Sequence, residues 1–143
     1  MPFEPFHSRL PAIAETETRS VIVSDQADLP PAEYGFVEMF CNEPGCDCRR
    51  VFFTVFSSRT QKPVAVIAYG WESISFYRKW FKYPIPNMDI AELKGPVLNT
   101  MSSQCPYAPA ILKLFNEVLL PDTDYIERIK RHYKLFRATV NRS

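Results

Sequence analysis

The chain has 143 residues, of which 46% are hydrophobic and 14% aromatic, which is enough for one domain with a proper core. Its 17 Lys and Arg residues nearly balance 16 Asp and Glu residues, which argues against phosphate-backbone binding as the main activity. The N-terminus lacks the basic and apolar regions of a secretion signal, and no apolar run approaches the ~20 residues of a membrane helix. We therefore expect a cytoplasmic protein with reduced thiols and no membrane association.

Residues 1–33 are predicted to form an extended N-terminal arm, followed by a single α+β metal-binding domain over residues 34–143. The arm is rich in proline and shows no helical stripe of apolar residues. A short strand at Arg19–Ser24 is the one regular element that the pattern predicts there.

Three apolar runs predict the strands of a central sheet. Phe36–Phe40 leads directly into the first cysteine, and Val51–Phe56 and Val64–Tyr69 are rich in β-branched and aromatic residues. The polar segment Ser57–Pro63 between the last two runs predicts a hairpin.

Helical patterns dominate the second half of the chain. Glu72–Tyr83 is amphipathic, Pro106 begins a helix that reaches Leu120, and Asp122–Ala138 has acids at its start and bases at its end. Strands followed by helices indicate the α+β class. We expect a small antiparallel sheet, made of a hairpin and a flanking strand, covered by three to four helices.

Three cysteines within eight residues are the most informative feature of the sequence. Cys41, Cys46 and Cys48 are separated by a turn-forming Asn42–Gly45 and a single Asp. The turn would bring Cys46 back to Cys41, and residues two apart in an extended segment share a face. Zinc is bound by about four such ligands in a tetrahedron, so the cluster predicts a zinc site. Inert buried thiols or a redox pair are the alternatives.

Two residues compete as the fourth ligand. Cys105 lies just before a predicted helix start, where a thiolate is favoured. His132 lies at the inner edge of the apolar stripe of the last helix, where a histidine is more often a core residue with satisfied hydrogen bonds. Water, or no fourth ligand, is the remaining alternative.

The sequence contains no catalytic motif that would make an enzyme the favoured hypothesis. The zinc deaminase signature is absent, and we expect Glu38 and Glu43 to be solvated carboxylates. Arg49 and Arg50 are expected at the surface, flanking a strand. The last helix carries a basic run that is expected to be a solvated face, with phosphate binding as the alternative: Arg128, Lys130, Arg131, Lys134, Arg137 and Arg142.

Four segments resemble a family of uncharacterised bacterial proteins: FVEMFC-x4-CDCRRVFF, AYGWESISFYRKW, LNTMSSQCPYAPAILKLF and YIERIKRHYKLF. In some members a comparable domain is followed by the short zinc motif found at the C-terminus of the SecA translocase, which this chain lacks. The resemblance implies that Cys41, Cys46 and Cys48 act as one unit and that His132 belongs to the signature. The resemblance makes Cys105 a weaker candidate for the fourth ligand, since the family has a small polar residue at this position as readily as cysteine.

The favoured hypothesis is a cytoplasmic protein with a structural zinc site that acts as a protein-binding or adaptor module. A nucleic-acid-binding domain that uses the last helix and a zinc or thiol enzyme are the alternatives. The sequence leaves the oligomeric state open.

Overall fold

The protein is described here by a computed structural model, which covers residues 2–81 and 89–142. Over these residues one antiparallel sheet of six strands is combined with five α-helices, so the predicted α+β class is confirmed, with slightly more helices than expected. The strands are β1 (Phe3–Pro5), β2 (Arg19–Val23), β3 (Ala32–Cys41), β4 (Arg50–Ser57), β5 (Pro63–Gly70) and β6 (Val97–Leu98). The helices are α1 (Pro11–Glu17), α2 (Ile74–Trp80), α3 (Ile90–Lys94), α4 (Ala108–Leu114) and α5 (Thr123–Asn141).

Strands β3, β4 and β5 form the centre of the sheet. The predicted hairpin is confirmed as the antiparallel pair β4–β5, and β6 adds a short edge beyond β5. Strands β1 and β2 both pair with β3, β1 with its C-terminal part and β2 with its N-terminal part. The outer edge of β3 is therefore covered by two short strands in succession.

The N-terminal segment differs from the extended arm that the sequence predicts. It contains helix α1 as well as strands β1 and β2, and four of its side chains are buried in the core: Phe6, Ala14, Val23 and Leu29. Helix α1 begins at Pro11, a residue that suits the first helical position. With seven residues it makes about two turns, which is too short to produce a recognisable apolar stripe. The predicted strand at Arg19–Ser24 is confirmed as β2.

The helices predicted in the second half of the chain are present, but their ends differ from the predicted ones. Helix α2 is shorter than predicted, and the end expected at Tyr83 lies outside the described residues. Helix α4 ends in a π-helical turn at Phe115–Leu119, which completes the predicted helix up to Leu120. Helix α5 begins after Asp122, whose carboxylate accepts a hydrogen bond from the backbone N–H of Tyr125.

Helix α5 lies across the core face of the sheet and forms much of the core. Its buried Ile129 and Phe136 lie against that face, and the rings of Phe40 and Phe136 are 5.7 Å apart between centroids. No helix in the described part of the chain is both long and apolar enough to cross a bilayer.

Candidate metal centre

The three clustered cysteines meet where β3 ends and β4 is about to begin. Cys41 is the last residue of β3, and Cys48 lies two residues before β4. The sulfur atoms of Cys41, Cys46 and Cys48 all lie within 4.8 Å of one another. Cys41 and Cys48 are fully buried, whereas Cys46 is partly exposed. The group is therefore positioned to hold a metal ion.

A tight turn brings the first two cysteines together. The backbone N–H of Cys46 donates to the carbonyl oxygen of Glu43 at 3.2 Å, and Gly45 adopts a φ of 78°. A positive φ suits glycine because it has no Cβ to clash with the neighbouring carbonyl oxygen. The segment Asn42–Gly45 thus acts as the hinge that returns the chain from Cys41 to Cys46.

Each of the three sulfurs faces the backbone N–H two residues further along the chain. The N–H of Glu43 donates to Cys41 Sγ at 3.5 Å. The N–H groups of Cys48 and Arg50 interact with the sulfurs of Cys46 and Cys48, and these contacts favour the thiolate against the larger effect of burial. N–H groups directed at sulfur stabilise the thiolate, which is the form that binds a metal.

In the metal-free cluster, burial raises the thiol pKa values of Cys46 and Cys48 and outweighs the effect of the backbone N–H groups. It raises the pKa of Cys48 to about 12, with the neighbouring Cys46 and Cys41 adding to the effect, and it also raises the pKa of Cys46. Without a cation the thiols of Cys46 and Cys48 are therefore protonated at neutral pH. A metal must displace their protons, and in return it removes the repulsion between three neighbouring thiolates.

Two arginines beside the cluster are buried, contrary to the surface positions that the sequence suggests. Arg137 of α5 is 6% exposed and donates to the carbonyl oxygens of Cys41 and Glu43 at 2.6 and 2.8 Å. Arg50 is 7% exposed and donates to the carbonyl oxygen of Leu93 at 2.8 Å. Helical spacing carries a signal for Arg137, because it lies four residues after the buried Tyr133.

Neither buried guanidinium has a carboxylate oxygen within 4.0 Å among the described residues. Burial lowers the pKa of Arg50, while the sulfurs of Cys48 and Cys46 act to raise it. Buried charges are costly unless an opposite charge compensates them. Three thiolates around a divalent cation carry one net negative charge, so a metal-loaded cluster would compensate one of the two buried positive charges.

His132 lies outside the group of three sulfurs. Its Nδ1 lies 2.6 Å from Glu38 Oε1 and its Nε2 lies 2.9 Å from Glu17 Oε1, so both ring nitrogens already have carboxylate partners. The ring is fully buried and stacks on Phe6 with 4.4 Å between centroids. His132 is the satisfied core histidine that was the alternative in the sequence analysis.

Glu38, expected to be a solvated carboxylate, is only 2% exposed. It shares the core face of β3 with Tyr34, Phe36 and Phe40, because alternate residues of a strand point to the same side. That alternation is the sequence signal that reveals a buried acid. Burial raises the pKa of Glu38 despite its hydrogen bond to the imidazole. Glu43, by contrast, is exposed as expected.

Cys105 also lies outside the group of three sulfurs. Its N–H donates to the carbonyl oxygen of Val64 at the start of β5, whereas the cluster lies near Gly70 at the other end of that strand. The six residue steps from Val64 to Gly70 span about 20 Å. Cys105 and the cluster therefore lie at opposite ends of β5.

An open groove runs between the cysteine cluster and helix α5, and we call it the cysteine groove. Its lining residues are Gly45, Cys46, Asp47, Tyr133, Lys134, Arg137, Ala138 and Asn141. A second depression continues from it along α5 and shares Asp47, Tyr133 and Lys134. Cys46 is the one cysteine of the cluster that lines the groove, so a solute approaches the sulfurs from its side.

The basic run of the last helix is largely engaged within the protein. Arg128 donates to the Glu17 carbonyl oxygen at 3.2 Å and Arg131 donates to the Glu17 carboxylate at 2.5 Å. Lys130 pairs with Glu127 at 3.1 Å. The continuous cationic face that phosphate binding requires is thereby reduced.

Neither a family model, nor a curated protein, nor a solved structure matches this chain. The case for a function therefore depends on the geometry of the site.

Proposed function

We propose that this protein binds one zinc ion through Cys41, Cys46 and Cys48. The observation that carries the proposal is the convergence of three sulfurs within 4.8 Å, two of them fully buried. The backbone N–H groups directed at the sulfurs and the two buried arginines beside them support it. Thiolates favour a borderline-soft cation such as zinc over magnesium or calcium.

The proposed role of the ion is structural. It would tie the end of β3 to the beginning of β4 across the turn at Asn42–Gly45. Arg137 extends this link to α5, because its guanidinium binds the carbonyl groups of Cys41 and Glu43. One ion thus fixes the position of the sheet end relative to the longest helix.

The test is elemental analysis of purified protein, with two cysteine variants as a matched pair. We expect about one zinc per chain in the natural protein and in Cys105→Ser, and loss of zinc in Cys46→Ser. Cys46 is partly exposed, so its replacement disturbs packing less than replacement of Cys41 or Cys48. A natural protein without metal, or a Cys46→Ser variant that keeps a full equivalent, would refute the proposal.

We further propose that the metal-stabilised domain serves as a protein-binding or adaptor module, with the cysteine groove as its contact surface. Support comes from the continuity of this groove with the second depression along α5. A photo-crosslinking residue at Lys134 should give one discrete adduct in cells, and the same residue at Lys113 on α4 should not. An identical adduct pattern at both positions, or an adduct at Lys134 that persists in Cys46→Ser, would argue against this role.

A further inference from the structure

We propose that the fourth coordination position of the metal is filled by an exchangeable monoanionic ligand, a carboxylate or a thiolate, that enters through the cysteine groove. This inference depends on the proposed metal site and specifies what completes it.

Residues 1–143 offer no fourth side-chain ligand beside the three sulfurs in the described part of the structure. Residues 1, 82–88 and 143 contain no Cys, His, Asp or Glu, so every such side chain belongs to the described part. Within that part, three ligand atoms and no fourth form the cluster. Zinc takes four ligands, and a site with three protein ligands keeps one position for a water or another exogenous group.

The nearest carboxylate in the sequence is already committed elsewhere. Asp47 lies between Cys46 and Cys48, but its Oδ1 accepts a hydrogen bond from Tyr133 at 3.1 Å. Its Oδ2 accepts another from Arg49 Nη2 at 2.9 Å. These contacts hold the Asp47 carboxylate at the rim of the groove and away from the sulfurs.

The cluster is accessible to a solute from the side of Cys46. Cys41 and Cys48 are fully buried, and Cys46 is partly exposed in the wall of the cysteine groove. The unfilled side of the metal is therefore expected to face this groove, where an incoming donor atom meets the ion without rearrangement of the core.

The charges around the cluster favour an anionic donor. Three thiolates and a divalent ion carry one negative charge, whereas Arg50 and Arg137 bring two positive charges without carboxylate partners within 4.0 Å. A neutral water would leave one positive charge among the ion, the three thiolates and the two guanidiniums, whereas one monoanion brings the charge of this group to zero; Asp47, at the rim of the groove, lies more than 4.0 Å from both guanidiniums. Compensation of buried charge thus favours an anion. The exposed Lys134 in the groove wall attracts the same class of ligand.

The test is cobalt-substituted protein, since Co²⁺ bound by thiolates has visible ligand-field and charge-transfer bands. The protein is titrated with acetate as the carboxylate probe and, separately, with 2-mercaptoethanol as the thiol probe. Acetate should shift the ligand-field bands. The thiol binds as a thiolate and releases its proton to the solvent, and it should add sulfur-to-cobalt charge-transfer intensity. A saturable change with either probe supports the inference and identifies the donor class.

Two lysine variants test the route of entry. Lys134→Ala should weaken the binding of the effective probe by about two- to fivefold, the range expected for one exposed charge. Lys113→Ala on α4 also removes one exposed lysine charge, which there lies 4.0 Å from the Glu117 carboxylate, and should leave the binding unchanged. Equal effects of the two variants, or no effect of Lys134→Ala, would overturn the proposed entry through the groove.

Failure of this inference differs visibly from failure of the metal site. If Co²⁺ binds with a three-thiolate spectrum that neither probe changes, the fourth position is closed and the inference is wrong, while the metal site stands. If Co²⁺ does not bind at all, the proposed function fails and the inference with it.

Discussion

Arg137 donates a hydrogen bond from Nη1 to the carbonyl oxygen of Cys41 at 2.6 Å, which joins helix α5 directly to the first cysteine of the cluster. Nη2 donates in parallel to the carbonyl oxygen of Glu43 at 2.8 Å. A planar guanidinium satisfies both carbonyls at once, whereas an ammonium group is a point charge without this geometry.

Arg137→Lys should therefore destabilise the fold by about 2–4 kcal/mol, because one of two charge-assisted hydrogen bonds is lost and a buried carbonyl is left unsatisfied. Urea denaturation at saturating zinc measures the change. Arg142→Lys, at the exposed end of the same helix, is the control and should stay within about 0.5 kcal/mol of the natural protein. Equal stability of the two variants would show that the contact of Arg137 with the cysteine turn contributes little.

Gly45→Ala tests the hinge between Cys41 and Cys46. A Cβ at this position meets no atom within 4 Å, so the expected cost comes from the φ of 78° alone and amounts to about 1–2 kcal/mol. Because the strain lies between two ligands, zinc affinity measured by competition with a chelator should fall as well. Gly35→Ala in β3 is the matched control, since a Cβ there also meets no atom within 4 Å and its φ is not positive. It should not weaken zinc binding, and weakening of equal size would contradict the hinge.

The buried His132 should titrate above its usual value of 6.5. Burial opposes the charged imidazole, but the hydrogen bonds to Glu38 and Glu17 and their charges outweigh it and raise the pKa of His132. NMR observation of the ring protons during a pH titration measures the midpoint. Glu38→Gln should lower it, and Glu127→Gln on the exposed side of α5 should not. A midpoint below 6.5 in the natural protein would exclude a charged, doubly paired imidazole.

The contacts of His132 with Glu38 and Glu17 make the free energy of unfolding depend on pH, and the sign of this dependence follows from the pKa shifts of the three groups. The raised pKa of His132 means that its contribution is present below pH 6.5 and is lost as the pH rises through the folded-state pKa. The raised pKa of Glu38 means that its contribution to stability is present below pH 4.5 and is also lost as the pH rises through its folded-state pKa. Hydrogen bonding to His132 lowers the pKa of Glu17, so its contribution is present above pH 4.5 and is lost in acid. At saturating zinc, the urea midpoint should be highest in mildly acidic solution, and His132→Gln should flatten its fall above pH 6.5.

Removal of the metal should lower the thermal stability of the domain substantially. Free zinc at a thousand times its Kd contributes about 4.1 kcal/mol, and for a domain of this size each kcal/mol corresponds to about 2–4 °C. A chelator should therefore lower Tm by roughly 8–16 °C in the natural protein and in Cys105→Ser. In Cys46→Ser the chelator should have no effect. A chelator effect of equal size in Cys46→Ser would place the stabilising metal elsewhere.

The sequence predicts the fold class and the central strands because their β-branched and aromatic runs are long and bounded by turn residues. It does not predict helix α1, whose seven residues are too few for periodicity and whose burial depends on packing of Phe6 and Ala14 against distant elements. Local pattern therefore fails where tertiary contacts decide the structure.

The cysteines of the candidate site follow from spacing, whereas their charged neighbours do not. Arg50 and Glu38 are residue types that are rarely buried, so composition favours the surface. Their burial depends on partners far along the chain, the carbonyl of Leu93 for Arg50 and the imidazole of His132 for Glu38. The alternation along β3 places Glu38 on the core face, but only the distant imidazole provides a buried partner for its carboxylate.

X-ray absorption at the zinc edge of the purified protein, prepared without added thiol, measures the ligands of the proposed metal site. We expect three sulfur neighbours at about 2.3 Å and one lighter neighbour. Cys105→Ser should give the same spectrum. A first shell with fewer than three sulfurs, a shell that contains imidazole, or a protein that binds no zinc would contradict the proposed site.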